Sequence, residues 1–179
     1  MEQEQAVLSI LDPVEHRRVL DDFDNVCLTA GVLPKYVHQS ATLYCGPKEI
    51  DWIRNFHENR NSSAGLFIEG VEKSVDRCMA ISGALIRNFI DARVMPMNTV
   101  LESKSAAEPT CLLIPNFCID LHGKNFAAHE LQDLYDVLVQ RFILGRPTVL
   151  CAESYVRMAE AYGAMMAQHI KNNFKIIKS

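Results

Sequence analysis

The chain is short of the features that would place it quickly. It has no apolar run near the roughly 20 residues that a membrane-spanning helix needs. It has no C-x-x-C pair, no internal repeat, no low-complexity tract and no flexible linker. It also lacks an excess of positive charge: 18 Lys and Arg stand against 22 Asp and Glu, for a net charge of −4. That balance argues against a whole-surface electrostatic grip on nucleic acid and leaves room for a local basic patch. The start, Met1-Glu2-Gln3-Glu4-Gln5, is acidic and does not read as a secretory leader. The expectation is a cytoplasmic protein with no membrane partner. Six cysteines, Cys27, Cys45, Cys78, Cys111, Cys118 and Cys151, are scattered and read as reduced structural thiols. What is present, 179 residues of which 49% are hydrophobic and 22% charged, suits one globular core with a small extension.

The pattern along the chain is first helical, then alternating. Asp12-Pro13-Val14-Glu15 predicts a helix start, with Asp12 as cap and Pro13 at the first helical position. Val14, the Arg18 stem, Val19, Phe23, Val26 and Cys27 follow at helical spacing until Gly31, and Pro34 prevents a restart. Residues 31–46 read as an ordered connector, and Pro47 opens a helix that runs to about Arg60. From there the prediction is strand 66–69, helix 74–91, an extended piece at 94–97 and a polar loop at 102–109. Strand 111–114, helix 126–144, strand 148–151, helix 155–172 and strand 174–177 complete it. Strands 111–114 and 148–151 are apolar throughout, as strands covered on both faces are. This rhythm predicts an α/β fold with a mainly parallel sheet and helices on both faces.

The first strand runs into a glycine: Gly65-Leu66-Phe67-Ile68-Glu69-Gly70, followed by Val71-Glu72-Lys73-Ser74-Val75-Asp76-Arg77. Several later phrases carry a resemblance. They are Gly31-Val32-Leu33-Pro34-Lys35-Tyr36, Ala41-Thr42-Leu43, and Trp52-Ile53-Arg54-Asn55-Phe56. The strand Cys111-Leu112-Leu113-Ile114 and the phrases Leu134 to Phe142 and Gly145-Arg146-Pro147-Thr148-Val149-Leu150 follow, then Tyr162-Gly163. In order and spacing these resemble the AAA+ ATPase domain of helicase loaders of the DnaC/DnaI type and of the IstB-like transposition ATPases. The resemblance covers residues 31–178. It implies a three-layer P-loop/AAA+ domain over 46–179, preceded by a helical extension and connector over 1–45.

The departures fall where that family keeps its chemistry. A P-loop closes glycine N–H groups and a lysine around phosphates. Here the inner glycines are missing, the loop is shorter, and the lysine position falls on Lys73, Ser74 or Asp76, depending on register. Two acidic residues should follow strand 111–114 to hold magnesium and polarise water. Pro115-Asn116 stand there. Ala152-Glu153-Ser154 replace the polar sensor, and Met165 and His169 stand in place of two arginines. The resemblance therefore implies a pseudo-ATPase with no catalytic residue, metal or cofactor, and a vestigial nucleotide set of Gly70, Lys73, Ser74 and Asn116. Its function would be protein contact in DNA replication or mobile-element biology, as assembly factor or inhibitor. A replicative helicase, a true loader or a second copy would be the partner.

Other readings compete. A divergent ATPase could hold ATP or ADP with magnesium through Lys73. A single-stranded DNA module could use Lys171, Lys175 and Lys178, and Arg141 and Arg146 are candidate nucleic-acid or partner contacts. Cys111, Cys118, His122 and His129 fit no common zinc spacing. His129-Glu130 lacks the second histidine of H-E-x-x-H because Asp133 occupies its place. The paired acids Asp21-Asp22 and Asp133/Asp136 read as solvated faces. Met158, Met165 and Met166 read as core, with a partner-helix face as the alternative.

Overall fold

The computed structural model describes residues 9–62, 65–70, 72–118 and 127–178. Five strands form one sheet: β1 (Gly65–Glu69), β2 (Ala92–Val94), β3 (Cys111–Cys118), β4 (Thr148–Ala152) and β5 (Phe174–Lys178). Their order is β2-β3-β4-β1-β5 and each of the four pairings is parallel. The central strands are apolar at consecutive positions because both faces are covered. Leu66, Ile68, Leu113, Val149 and Cys151 face one layer. Phe67, Leu112, Ile114, Leu150 and Ala152 face the other.

The first layer is built on α6 (Ser74–Arg87), whose Cys78, Ile81 and Leu85 are buried. Around it lie α1 (Arg17–Leu20), α2 (Phe23–Ala30), α3 (Pro34–His38), α4 (Pro47–Arg54) and α5 (Phe56–Ser62). They contribute Val19, Cys27, Tyr36, Val37, Trp52 and Phe56 to the same core. The second layer holds α7 (Met97–Glu102), α8 (Ala128–Ile143) and α9 (Tyr155–Asn173), through Met97, Leu134, Leu138, Met158, Met166 and Ile170. The sandwich of helices, sheet and helices is the α/β architecture expected.

Several local expectations change. The predicted helix start at Asp12-Pro13 is corrected: Asp12 accepts from the N–H groups of Val14 and Glu15 at 2.8 and 2.9 Å within a turn, α1 begins only at Arg17 with His16 at its N-cap, and the predicted single helix splits into α1 and α2 at Asp21-Asp22. Asp22 leaves helical geometry (φ −135°) and becomes the N-cap of α2. The connector 31–46 contains α3 and a short 3₁₀ turn, Ala41–Leu43. The extended piece lies at 92–94 instead of 94–97, because Pro96 caps a helix, α7, that the sequence reading missed. β3 continues past Pro115 to Cys118, with a register irregularity between Ile114 and Cys118 where the proline cannot donate. The predicted start of α8 at Phe126, like His122, lies outside the described residues.

Candidate functional site

In parallel α/β sheets, ligands bind in the crevice outside the carboxyl ends of the strands. Here that crevice is bounded by the ends of β1, β3 and β4. From Gly70 to Ser74, the first residue of α6, is four positions. In G-x-x-x-x-G-K-[ST] the first glycine and the serine or threonine lie seven apart. The turn is three residues shorter than a phosphate loop. Gly70 extends the sheet: its N–H donates to the Ala152 carbonyl at 2.8 Å. Its φ of +121° lies where glycine is favoured. Lys73 takes the N-cap position of α6 in left-handed geometry (φ 55°), with an exposed side chain and no ion pair among the described residues.

The polar groups behind this turn are bonded to one another. Ser74 is 4% exposed, and its Oγ donates to Asn116 Oδ1 at 3.0 Å. The Asp76 carboxylate accepts the Tyr36 hydroxyl. Burial, together with that carboxylate, pushes the Tyr36 hydroxyl above the ordinary phenol range. Glu69 Oε1 accepts from the Tyr155 N–H at 2.8 Å and Oε2 lies 3.7 Å from Lys178 Nζ. A carboxylate from β1 therefore sits at the positive end of α9. Ser154 Oγ accepts from the Arg157 N–H at 3.1 Å, and Glu153 pairs with Arg157.

The arrangement differs from a magnesium-triphosphate site in the length of its turn and in the partners of its polar groups. The Ser74 hydroxyl is bonded to Asn116, a neutral side chain, and the Glu69 and Glu153 carboxylates at the strand ends are paired with Lys178 and Arg157. Of the vestigial set, Gly70, Lys73, Ser74 and Asn116 do share one neighbourhood, and Ser74 and Asn116 touch. Among the described residues, no group of three or more His, Cys, Asp or Glu is placed to hold a metal ion.

The candidate contact residues do not form one patch. Arg141 is corrected from a contact residue to a structural one. It is fully buried, and its guanidinium donates to Thr148 Oγ1 and to the carbonyls of Ala106, Pro109, Thr110 and Pro147 at 2.9–3.5 Å. Burial pulls it down to about 10, so it stays charged at neutral pH. Arg146 is half-buried and donates to the Ala107 and Glu108 carbonyls at 2.7 and 2.8 Å. Together the two arginines pin the 3₁₀ turn Lys104–Ala107 to the start of β4. Lys171 is exposed on α9, whereas Lys175 lies 3.3 Å from Asp51. Met158 and Met166 are core and Met165 is exposed. His169 is buried among the rings of Tyr135, Phe142 and Phe174.

Sequence reasoning missed three polar links: Tyr36–Asp76, Glu69 to the α9 N-terminus, and the buried pair Glu49–Arg77 at 3.9 Å. The available signal was a charged residue beside apolar ones, at the end of the apolar strand β1 for Glu69 and on a helix for Asp76 and Glu49. It marks each position and gives no partner.

No protein-family description matches the chain, and no curated protein matches it in sequence. Solved structures match its fold. The replication initiator DnaA bound to AMPPCP and single-stranded DNA superposes with a TM-score of 0.64 at 11% identity, over 82% of this chain and 50% of that one. DnaI superposes at 0.61 with 13% identity, covering 82% of this chain and 94% of DnaI. Domain III of the Thermotoga maritima replication initiation protein DnaA gives 0.56 with 17% identity, over 82% and 68%. The chain thus spans half the length of that DnaA chain, and the likeness is one of fold.

Proposed function

We propose that this chain is a non-hydrolysing relative of replication initiators and helicase loaders, acting through contacts with a protein partner. The observation that carries the reading is the Ser74–Asn116 hydrogen bond behind a shortened turn. The two positions that would face a metal-bound phosphate in an ATPase are bonded to each other at 3.0 Å. Losing one catalytic group costs an ATPase a few powers of ten in rate. Here the loop, the acidic pair, the sensor and the arginines all differ. The fold neighbours support the setting: one is a replication initiator captured with a nucleotide analogue and single-stranded DNA, another is DnaI. The architecture of such a protein would present a docking surface without an ATP switch, helping an assembly form or blocking it. A replicative helicase, a loader or a second copy of the chain is the partner class.

The test is nucleotide binding. With magnesium-ATP up to millimolar concentration, the melting temperature should not move and labelled ATP should not bind. A ligand at 100 times its Kd would add about 2.7 kcal/mol, well within detection. Micromolar binding that disappears in Lys73→Ala would overturn the reading in favour of a divergent ATPase. Steeply salt-dependent binding to single-stranded DNA, weakened on changing Lys171, Lys175 and Lys178, would overturn it in favour of a nucleic-acid module.

A further inference from the structure

Away from the strand ends, between α2 and the junction of α6 with β2, lies an open groove of about 440 Å³. Its floor is apolar, made by the buried Val19, Ala30, Ile86 and Ala92. Its rim is exposed and includes Arg18, Phe89 and Asp91. Phe89 breaks a local rule. α6 ends in a Schellman turn, with the Phe89 N–H donating to the Ile86 carbonyl at 2.9 Å and the Ile90 N–H to that of Leu85 at 3.0 Å. The residue in this place adopts left-handed geometry, where glycine is strongly preferred. Here it is a phenylalanine at φ 58°, with its side chain 57% exposed. The strained backbone is not repaid by burial, and strain of this kind concentrates at ligand clamps. The His16 ring faces Phe89, centroids 6.2 Å apart and planes 22° from parallel.

Charge tells what the groove takes. Asp91 is neutralised by a two-pronged bond from Arg93, both contacts at 3.0 Å. Arg18 has no ion-pair partner among the described residues, so the rim carries one free cation. A single cation over an apolar floor does not suit a phosphate chain, whose binding grows with the number of neutralised charges. The open rim does not enclose a small molecule as a ligand pocket does. We infer that this groove docks a protein segment that places an apolar side chain beside Phe89 and a carboxylate against Arg18. The inference rests on the contact-based function for its purpose, but its test does not involve nucleotide. ATP binding would therefore sink that reading and leave the groove result intact.

The test uses the whole chain, ¹⁵N-labelled, titrated with a tetrapeptide amide in which two aspartates flank leucine and phenylalanine. Amide shifts should concentrate at Arg18, Val26, Thr29 and Phe89–Asp91. Arg18→Glu should weaken binding at least tenfold. Phe89→Gly should raise the melting temperature by a few degrees, relieving the left-handed strain, and weaken binding at least tenfold. The same tetrapeptide with lysines for aspartates should not bind. Equal binding of the lysine peptide, equal binding of 2-naphthylacetate at the same sites, shifts spread elsewhere, or full binding by Phe89→Gly would each overturn the proposal. A fall in melting temperature for Phe89→Gly would do so too, by showing the ring to be a structural prop.

Discussion

Arg141 brings a charge into the interior, and the fold answers it with neutral acceptors. Its donors meet four carbonyls and a threonine hydroxyl, so truncation would strand several acceptors at once. Arg141→Ala should destabilise the protein by about 3 kcal/mol, and Arg141→Lys, with a point charge in place of a planar fork, by about 2 kcal/mol, both read from urea unfolding midpoints. His169 gives a pH dependence of definite sign. Burial lowers its pKa from the ordinary imidazole value, so the folded chain binds fewer protons than the unfolded chain near that value. Stability should rise with pH through the ordinary imidazole range and be lost on acidification below it. Replacing the ring by phenylalanine should flatten that part of the curve, measured as unfolding midpoints at pH 5.5 and 7.5. Neither outcome could be argued from the sequence. Arg141 matches a basic position of the loader phrase, but five acceptors drawn from three segments are a tertiary fact.

At the scale of elements, the close approach of α3 to α6 is set by Gly83. A Cβ built there would meet the Tyr36 carbonyl oxygen at 2.3 Å and its carbon at 2.7 Å. Arg87 reinforces the contact by donating to the carbonyls of Tyr36, Val37 and Gln39 at 2.8–3.2 Å. In an open helix, Gly→Ala would stabilise by up to about 1 kcal/mol. Here backbone is struck and neither helix can yield cheaply, so Gly83→Ala should cost about 2 kcal/mol, lowering the melting temperature by about 6 °C. Pro34 was read as a barrier to helix formation, yet it starts α3, because a proline suits a first turn whose N–H would be unpaired anyway. The tall strands and the long helices α6, α8 and α9 were readable because their apolar periods extend over many residues. α3 and α7 span five and six residues and are fixed by what they pack on.

For the whole molecule, the N-terminal helices share the core of the sheet and do not form an appendage. Val19, Cys27, Val32, Tyr36 and Val37 belong to one cluster with Leu66, Ile68 and Ile81. A chain beginning at residue 46, the domain boundary that the resemblance implies, should therefore fail to fold cooperatively, seen as loss of a single calorimetric transition. The alternation of apolar strands with amphipathic helices was enough to require a parallel sheet covered on both sides, since uniformly apolar strands have no stable alternative to double burial. The absence of the phosphate-loop glycines and of the acidic pair was visible in the same way, directly from the residue types. What they do instead depended on distances across the fold. Ser74 meets Asn116 from 42 residues away, Glu69 reaches the start of α9 from 86 away, and Phe89 stays exposed beside a groove walled by α2. Hydrophobic periodicity is local and survives in one dimension; the pairing of polar groups is not, because it forms only after the apolar faces have closed.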